Sequence, residues 1–387
     1  MRRCTMAAGF VVAMVAITVN AARAADYRAG DKVVVMRDGN LRVDGNRIVD
    51  EVFVGLVLTV NDVNGDWLWV SNGKPGWLSA QAVVPLDRRV IERLTGMFPD
   101  DPVMRFYRRS LVWQALGEID IAIGDVNAAI DVRPDAALFG MRGQLRCQKK
   151  DYDQAIADFG EEIRLNPSSE HAYNNRGGAW RAKGDHDRAI ADYSEALRLD
   201  PLCVMAIINR GRAWRAKGDY DRGIADFTEA LRLDPKSAFA AFDLAETALL
   251  RRESTAAEGF QAVIDMQGWT GNAAVYAVIL GSQAARLAGD EARAERFLAD
   301  SAGKLKPDWP EPVVRFLRGD LDEAGLLALA TDDDKRAEAR CYLGIQELIA
   351  GHPDAARDHF AWVRDHGNAF LAEYGIARAE LKRLDGR

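Results

Sequence analysis

The spacing of apolar residues changes character once along the chain. Between residues 27 and 86, the runs "DKVVVMRDG", "RIVDEVFVGLVLTV" and "DWLWVSNGKPGWL" are rich in β-branched and aromatic side chains, with Gly, Asn and Asp turns between them. Period-two alternation within "DWLWV" places Trp67 and Trp69 on one face of a strand and Leu68 and Val70 on the other. Both faces are apolar, which predicts a small barrel or a sheet with one face used for binding. From about residue 90 the period lengthens to that of amphipathic helices. In the segment that starts at Glu170, Tyr173, Gly177 and Trp180 form one stripe. Gly184 then ends that helix and Asp185 caps the next. Ala189, Ile190, Tyr193, Ala196, Leu197 and Leu199 form a second stripe, which Pro201 closes.

This helix pair is written twice. "NRGGAWRAKGDHDRAIADYSEALRLDP" (175–201) returns 34 residues later as "NRGRAWRAKGDYDRGIADFTEALRLDP" (209–235), with like-for-like changes such as Tyr193 to Phe227 and Ser194 to Thr228. A unit that cannot cover its own apolar stripes is naturally stacked, whereas a catalytic site is normally assembled once. The 34-residue step, with Gly-x-x-Trp, Ala, aromatic, Ala and Pro at fixed offsets, resembles the tetratricopeptide repeat. A first copy carries Trp113, Gly117, Ala122, Ala129 and Pro134, and a second carries Gly143, Ala155, Phe159 and Pro167. Degenerate copies follow at 241–264 and 279–302, and a last clear one at 341–363 holds Leu343, Gly344, Ala356 and Phe360. The resemblance implies a mainly α solenoid in which the first helix of each repeat lines a concave groove.

Two further resemblances frame the repeats. "GDWLWVSNGKPGWLSAQAVVPL" is similar to the closing half of a Src-homology-3-like barrel of the kind found in many exported bacterial proteins. It implies a small all-β domain before the solenoid, with Trp67 and Trp69 as candidates for a ligand surface. Ser79 and Ala82 stand where that family usually has proline and tyrosine, a departure from the pattern that binds proline-rich peptides. "WPEPVVRFLRGDLDEAGLLALA" (309–330) and the repeat after it are similar to the C-terminal part of exported repeat-containing adaptor lipoproteins, which bring a periplasmic protease to cell-wall hydrolases. The expected organisation is 1–24 signal peptide, 25–88 β-barrel and 89–237 regular repeats (about 103–134, 136–167, 170–201 and 204–235). Degenerate repeats and a C-terminal helical region would fill 238–387, with a last clear repeat near 337–370.

The first residues read as an export address. Arg2 and Arg3 precede the apolar run "MAAGFVVAMVAITV", and "ARA" at 22–24 offers a cleavage point. The run is shorter than the roughly 20 apolar residues that span a bilayer. Cys4 precedes it and so cannot take the lipid of a bacterial lipoprotein. The expectation is a periplasmic or secreted protein with no membrane anchor after cleavage. Loss of 1–24 removes three arginines and no acid, so the net charge of −7 becomes −10. Such an acidic surface argues against nucleic acid and anionic lipid as partners. Cys147, Cys203 and Cys341 are odd in number and widely spaced, which does not describe a disulfide framework.

No His-Glu-x-x-His, phosphate-cradling glycine loop or Gly-x-Ser-x-Gly elbow is present, so no catalytic, metal or cofactor residues are assigned. His352, His359 and His366 fall seven apart, about 10 Å along a helix, too far to share one ion. "DDD" at 332–334 reads as a solvated loop. Arg142, Arg176 and Arg210, each one residue before a glycine, read as structural, their stems laid across the helix pair. The face opposite the packing stripe carries His171, Asn174, Asn175, Gly178 and Arg181 in one copy and Met205, Ile208, Asn209, Arg212 and Arg215 in the next. Asn175 and Asn209 sit where peptide-gripping relatives often bond a peptide backbone. Arg181, Arg212 and Arg215 would form a positive strip suited to an acidic or C-terminal segment. The reading is a non-catalytic scaffold that binds protein or peptide partners through the groove of 136–235, with the β module as a second contact. The alternative makes the β module the primary site, for cell wall or glycan.

Overall fold

The computed structural model describes residues 27–386 except 37–38, 44–46, 54, 65–66, 73, 80–81, 98–99, 270–272 and 369–371. The expected signal peptide thus lies outside the described residues. The chain divides into two compact units, 1–149 and 150–387.

Unit 1 opens with seven strands: β1 (Lys32–Val35), β2 (Gly39–Val43), β3 (Arg47–Val52), β4 (Val57–Asn64), β5 (Trp67–Asn72), β6 (Lys74–Ser79) and β7 (Val83–Pro85). They form one antiparallel sheet in the order β3-β2-β6-β5-β4-β1-β7. The alternation read in "DWLWV" places Leu68 and Val70 in the core with Val33, Val35, Leu58, Val60 and Leu78. The side chains of Trp67 and Trp69 lie outside the described residues. Strand β1 is apolar on both faces, and Val34 on its other face joins Val84, Val90, Leu94 and Val112. Val90 and Leu94 belong to helix α1 (Arg89–Met97) and Val112 to α2 (Pro102–Ala115), so sheet and first helices share a core within unit 1. Helices α3 (Ile119–Val132) and α4 (Ala136–Gln148) complete the unit.

Unit 2 is helical throughout its described residues: α5 (Tyr152–Leu165), α6 (Glu170–Ala182), α7 (His186–Leu199), α8 (Val204–Lys217), α9 (Tyr220–Leu233), α10 (Ala238–Leu250) and α11 (Ala256–Gln267). It continues with α12 (Ala274–Leu287), α13 (Glu291–Asp300), α14 (Glu311–Arg318), α15 (Glu323–Leu329), α16 (Asp333–Ile349), α17 (Pro353–His366) and α18 (Ala372–Asp385). Consecutive helices pack as pairs, and the pairs stack into an α-solenoid. Two offsets recur among these pairs. A glycine of the first helix faces an aromatic ring 16 residues on: Gly177 with Tyr193, Gly211 with Phe227, Gly281 with Phe297 and Gly344 with Phe360. A Cβ at Gly211 would stand 2.7 Å from the Phe227 ring, so only glycine lets the helices approach this closely. In α6/α7 and α8/α9 an arginine one residue before the glycine forks onto an aspartate, also 16 on. Arg176 donates to both carboxylate oxygens of Asp192 at 2.8 and 2.7 Å, and Arg210 to those of Asp226 at 3.0 and 2.7 Å. The same pair recurs in unit 1 as Arg109 and Asp125. These arginines therefore do more than lay their stems across the pair, because their guanidinium groups neutralise nearly buried carboxylates.

A third offset, of 30 residues, ties neighbouring pairs together from α5 to α10. Lys183 bonds Asp153, Lys217 bonds Asp187, and Arg251 bonds Asp221, each cation leaving the end of a first helix for the start of the preceding second helix. Trp180 and Trp214 lie under Arg188 and Arg222 respectively, with 4.5 Å from guanidinium to ring centre in both. Two local expectations are corrected. "DDD" is not a loop: Asp332 caps α16 by accepting from the Lys335 amide, and Asp333 and Asp334 occupy the first turn, where the helix dipole favours acids. Ile208 does not face a ligand surface but is fully buried with Ile207, Phe227 and Ala240.

Candidate functional site

The first helices α6, α8 and α10 of unit 2 lie side by side, and polar side chains cross the seams between them. Asn209 donates from Nδ2 to Oδ1 of Asn174 at 3.1 Å, linking α8 to α6. Asn175 is half-buried beside this bond. His171 is largely exposed, its Nε2 3.3 Å from the Glu170 carboxylate. Arg181 is half-buried, and its charge acts on the buried Tyr193 hydroxyl and on His186. The other two arginines are engaged by carboxyl groups of α10. Arg212 lies 2.7 Å from Asp243, and Arg215 lies 3.1 Å from Asp243 and 2.8 Å from Glu246. A strip of three arginines is thus not what α8 presents, because α10 supplies two carboxylates to it. The signal was in the 34-residue step: counting on from Asn209 and Arg212 lands on Asp243 and Glu246.

Position two of each first helix stays accessible. There, 34 residues apart, stand His171, Met205 and Phe239, and Met205 and Phe239 are 49% and 62% exposed. Leu202, just before α8, is exposed as well. Isolated exposed apolar residues are ordinary, but these flank one another on the same end of neighbouring helices.

Beyond α8 the first helices change. Past the exposed Phe239, α10 is buried over most of its length, as is α12, and α16 is buried from Ala337 to Ile345 except at Arg340, including positions that would face a groove. Carboxylates lie inside this region. Glu338 of α16 is 5% exposed and accepts from Trp309 Nε1 at 2.8 Å and from Tyr276 Oη at 3.4 Å. Glu373 of α18 is 2% exposed and accepts from the Tyr342 hydroxyl. Among the described residues neither has an ion pair. Burial, then the charge of Glu373, pushes the Glu338 carboxyl up to about 8. Burial likewise raises Glu373, and raises Glu246 to about 7 against the pull of Arg215. Sequence reasoning missed these groups because a glutamate on a degenerate helix looks like any solvated one.

Among the described residues no group of three or more His, Cys, Asp or Glu is placed to hold a metal. His352 stands at the residue before α17 and contacts Glu347 at 2.8 Å, whereas His366 stacks on Trp362. Cys147, Cys203 and Cys341 are free thiols. No described helix is long and apolar enough to cross a membrane.

Residues 141–202 and 204–237 match two sequence profiles of the tetratricopeptide repeat. The human tetratricopeptide repeat protein 13 is 32% identical over 87 residues, or 22% of this chain, and the chain spans only 10% of that protein's length. A solved tetratricopeptide repeat protein from Parabacteroides merdae ATCC 43184 shares the fold at 15% identity and a TM-score of 0.51, over 72% of this chain and 99% of its own. PilW, a type IV pilus biogenesis factor, aligns over 51% of this chain and 91% of its own, with 19% identity and a TM-score of 0.47.

Proposed function

We propose that this chain is an exported, non-catalytic scaffold that holds a protein partner on the row of first helices α6, α8 and α10. The observation that carries the reading is the accessible line of His171, Met205 and Phe239 beside the half-buried Asn174, Asn175 and Asn209, presented by regular tetratricopeptide repeats. Apolar anchors flanked by amide groups suit an extended segment, whose side chains enter apolar patches while its backbone bonds the amides. Arg212 and Arg215, engaged by Asp243 and Glu246, shift the partner away from a strongly acidic peptide, toward one with apolar side chains. The β module, read as Src-homology-3-like with Trp67 and Trp69 on its ligand surface, would add a second contact whose effect multiplies with the first. Export of the chain rests on residues 1–24, outside the described residues, and a cell-wall contact through the β module remains the alternative use of that surface.

The test is recovery of partners with the tagged full chain in its own host, by mild cross-linking and purification. Met205→Asp and Phe239→Asp together change exposed residues and leave the helical circular-dichroism signal intact. The reading expects the partners of the wild type to be lost with this pair. Recovery of the same partners by the folded variant overturns it.

A further inference from the structure

The amphipathic stripe of the last helix contains two carboxylates where apolar residues would be expected. Along α18 the buried positions are Glu373, Ile376, Ala377, Glu380, Leu381 and Leu384, a continuous helical face. Arg378, on the opposite face, is exposed. This stripe meets α16 and α17, which precede it, and also α10, more than 120 residues earlier in the chain. Two kinds of contact hold it there. Near its C-terminal end they are ionic: Glu380 lies between Arg252, at 2.6 Å, and Arg383; Arg383 also reaches the Leu250 carbonyl; and Asp385 bonds Arg357 of α17. Near its N-terminal end the carboxylate is uncompensated. Glu373 accepts from Tyr342, the Cys341 thiol donates to the Glu373 carbonyl at 3.5 Å, and the Glu373 carboxyl is near enough to Glu338 and Glu246 for its charge to raise both.

We propose that Glu246, Glu338 and Glu373 form a proton-operated latch that holds α18 across the inner faces of α10 and α16, closed while the carboxyls carry protons and released as they ionise. The groups facing the latch come from every element packed on it. Arg215, Arg212 and Asp243 face Glu246 from α8 and α10. Tyr276 of α12, Trp309, and Asp334 of α16 face Glu338. Tyr342, Glu338 and Cys341 of α16 face Glu373. Among the described residues Glu246 alone of the three has an ion pair, and its Arg215 is shared with Asp243. In the closed state two or more of the three therefore cannot ionise together without like-charge repulsion in a dry seam.

The sign of the pH effect follows. Each carboxyl is held above its ordinary value in the closed state and returns to it when α18 leaves and water enters. The open state thus binds fewer protons, and the closed state loses ground as pH rises from 4.5 through about 8. Loss of closure uncovers the inner faces of α10 and α16, including Cys341, which is fully buried beneath Glu373. The N-terminal half of α18 opens first, since its C-terminal half keeps its ion pairs.

Hydrogen–deuterium exchange of the full chain at pH 6 and pH 8, corrected for the intrinsic pH dependence of exchange, tests the latch. The expected result is an opening equilibrium for amides 372–380 that rises by at least about tenfold between the two, while α6–α9 change little. Glu338→Gln keeps an acceptor for Trp309 and cannot ionise, so the rise shrinks severalfold; Glu373→Gln has the same effect. As a second readout, labelling of Cys341 at pH 8 is slower in either variant than in the wild type. Equal protection of α18 at both pH values overturns the proposal. So does a rise that persists undiminished in both glutamine variants, or one that spreads evenly over α6–α9 and thereby reports global unfolding. None of these outcomes depends on whether the α6–α10 row binds a partner.

Discussion

A repeated residue can repeat for packing or for binding, and the 16-residue offsets separate the two. Gly177 and Gly211 recur because Tyr193 and Phe227, both fully buried, need the space above them. The Gly211→Ala chain should therefore lose about 1–3 kcal/mol in urea unfolding, the usual cost of overpacking, since a fully buried ring cannot swing aside. Charged residues sort the same way. Arg210 covers a carboxylate that is 7% exposed, so Arg210→Ala leaves a buried charge unpaired and should cost about 3 kcal/mol. Lys217, whose partner Asp187 is mostly in water, should cost under about 1 kcal/mol when changed to Ala. Equal losses for the two, measured under the same denaturant conditions, would remove the distinction between the ion pair inside a repeat and the one between repeats. In the sequence Arg176, Arg210 and the two glycines could be named as structural. Their aspartates could not, because an acid on the outer helix carries no mark of burial until its partner is placed.

Among elements, the two regular pairs were the most legible, since copies 34 residues apart fix their own boundaries. Caps at Ser169, Asp185, Asp219 and Ser237 bond the amides that the motif requires. Legibility fell where the apolar face widened. Helix α10 is buried at Asp243 and Glu246 as well as at its alanines and leucines, so one stripe no longer describes it. Helix α18 has no repeat signature at all, and its role emerges only from contacts made far back in the chain. The buried carboxylates give this region its own pH response. Since Glu338 and Glu246 are held above their ordinary values in the fold, their stabilising contribution is present in acid and lost between 4.5 and about 8. Thermal unfolding should accordingly show a lower midpoint at pH 8.5 than at pH 6, and Glu338→Gln should narrow that gap, mainly by raising the value at pH 8.5. A gap unchanged by this substitution would assign the pH response elsewhere.

At the scale of the molecule, a solenoid segment with accessible first helices precedes a segment in which the first helices are covered. The chain thus presents different surfaces along its length although its helix-pair plan is continuous. The sequence could show that plan, because stacking demands period and small residues. It could not show which faces stay open, because that depends on the acids α10 brings to α8 and on the return of α18 to α10. The β sheet and α1–α2 share one core in unit 1, so removal of residues 25–88 should leave Val90, Leu94 and Val112 exposed and lower the solubility of what remains. Expression of 89–387 beside the full chain, compared by the fraction recovered as monomer, checks this.

The most direct test of the binding surface is site-specific photo-cross-linking from the chain in its own host. A photoreactive residue at position 175, on the row of first helices, is compared with one at position 198, on the exposed outer helix α7. The account predicts discrete adducts from position 175 that are absent or much weaker from position 198. Adducts that are the same from both positions, or that come from position 198 alone, would contradict it.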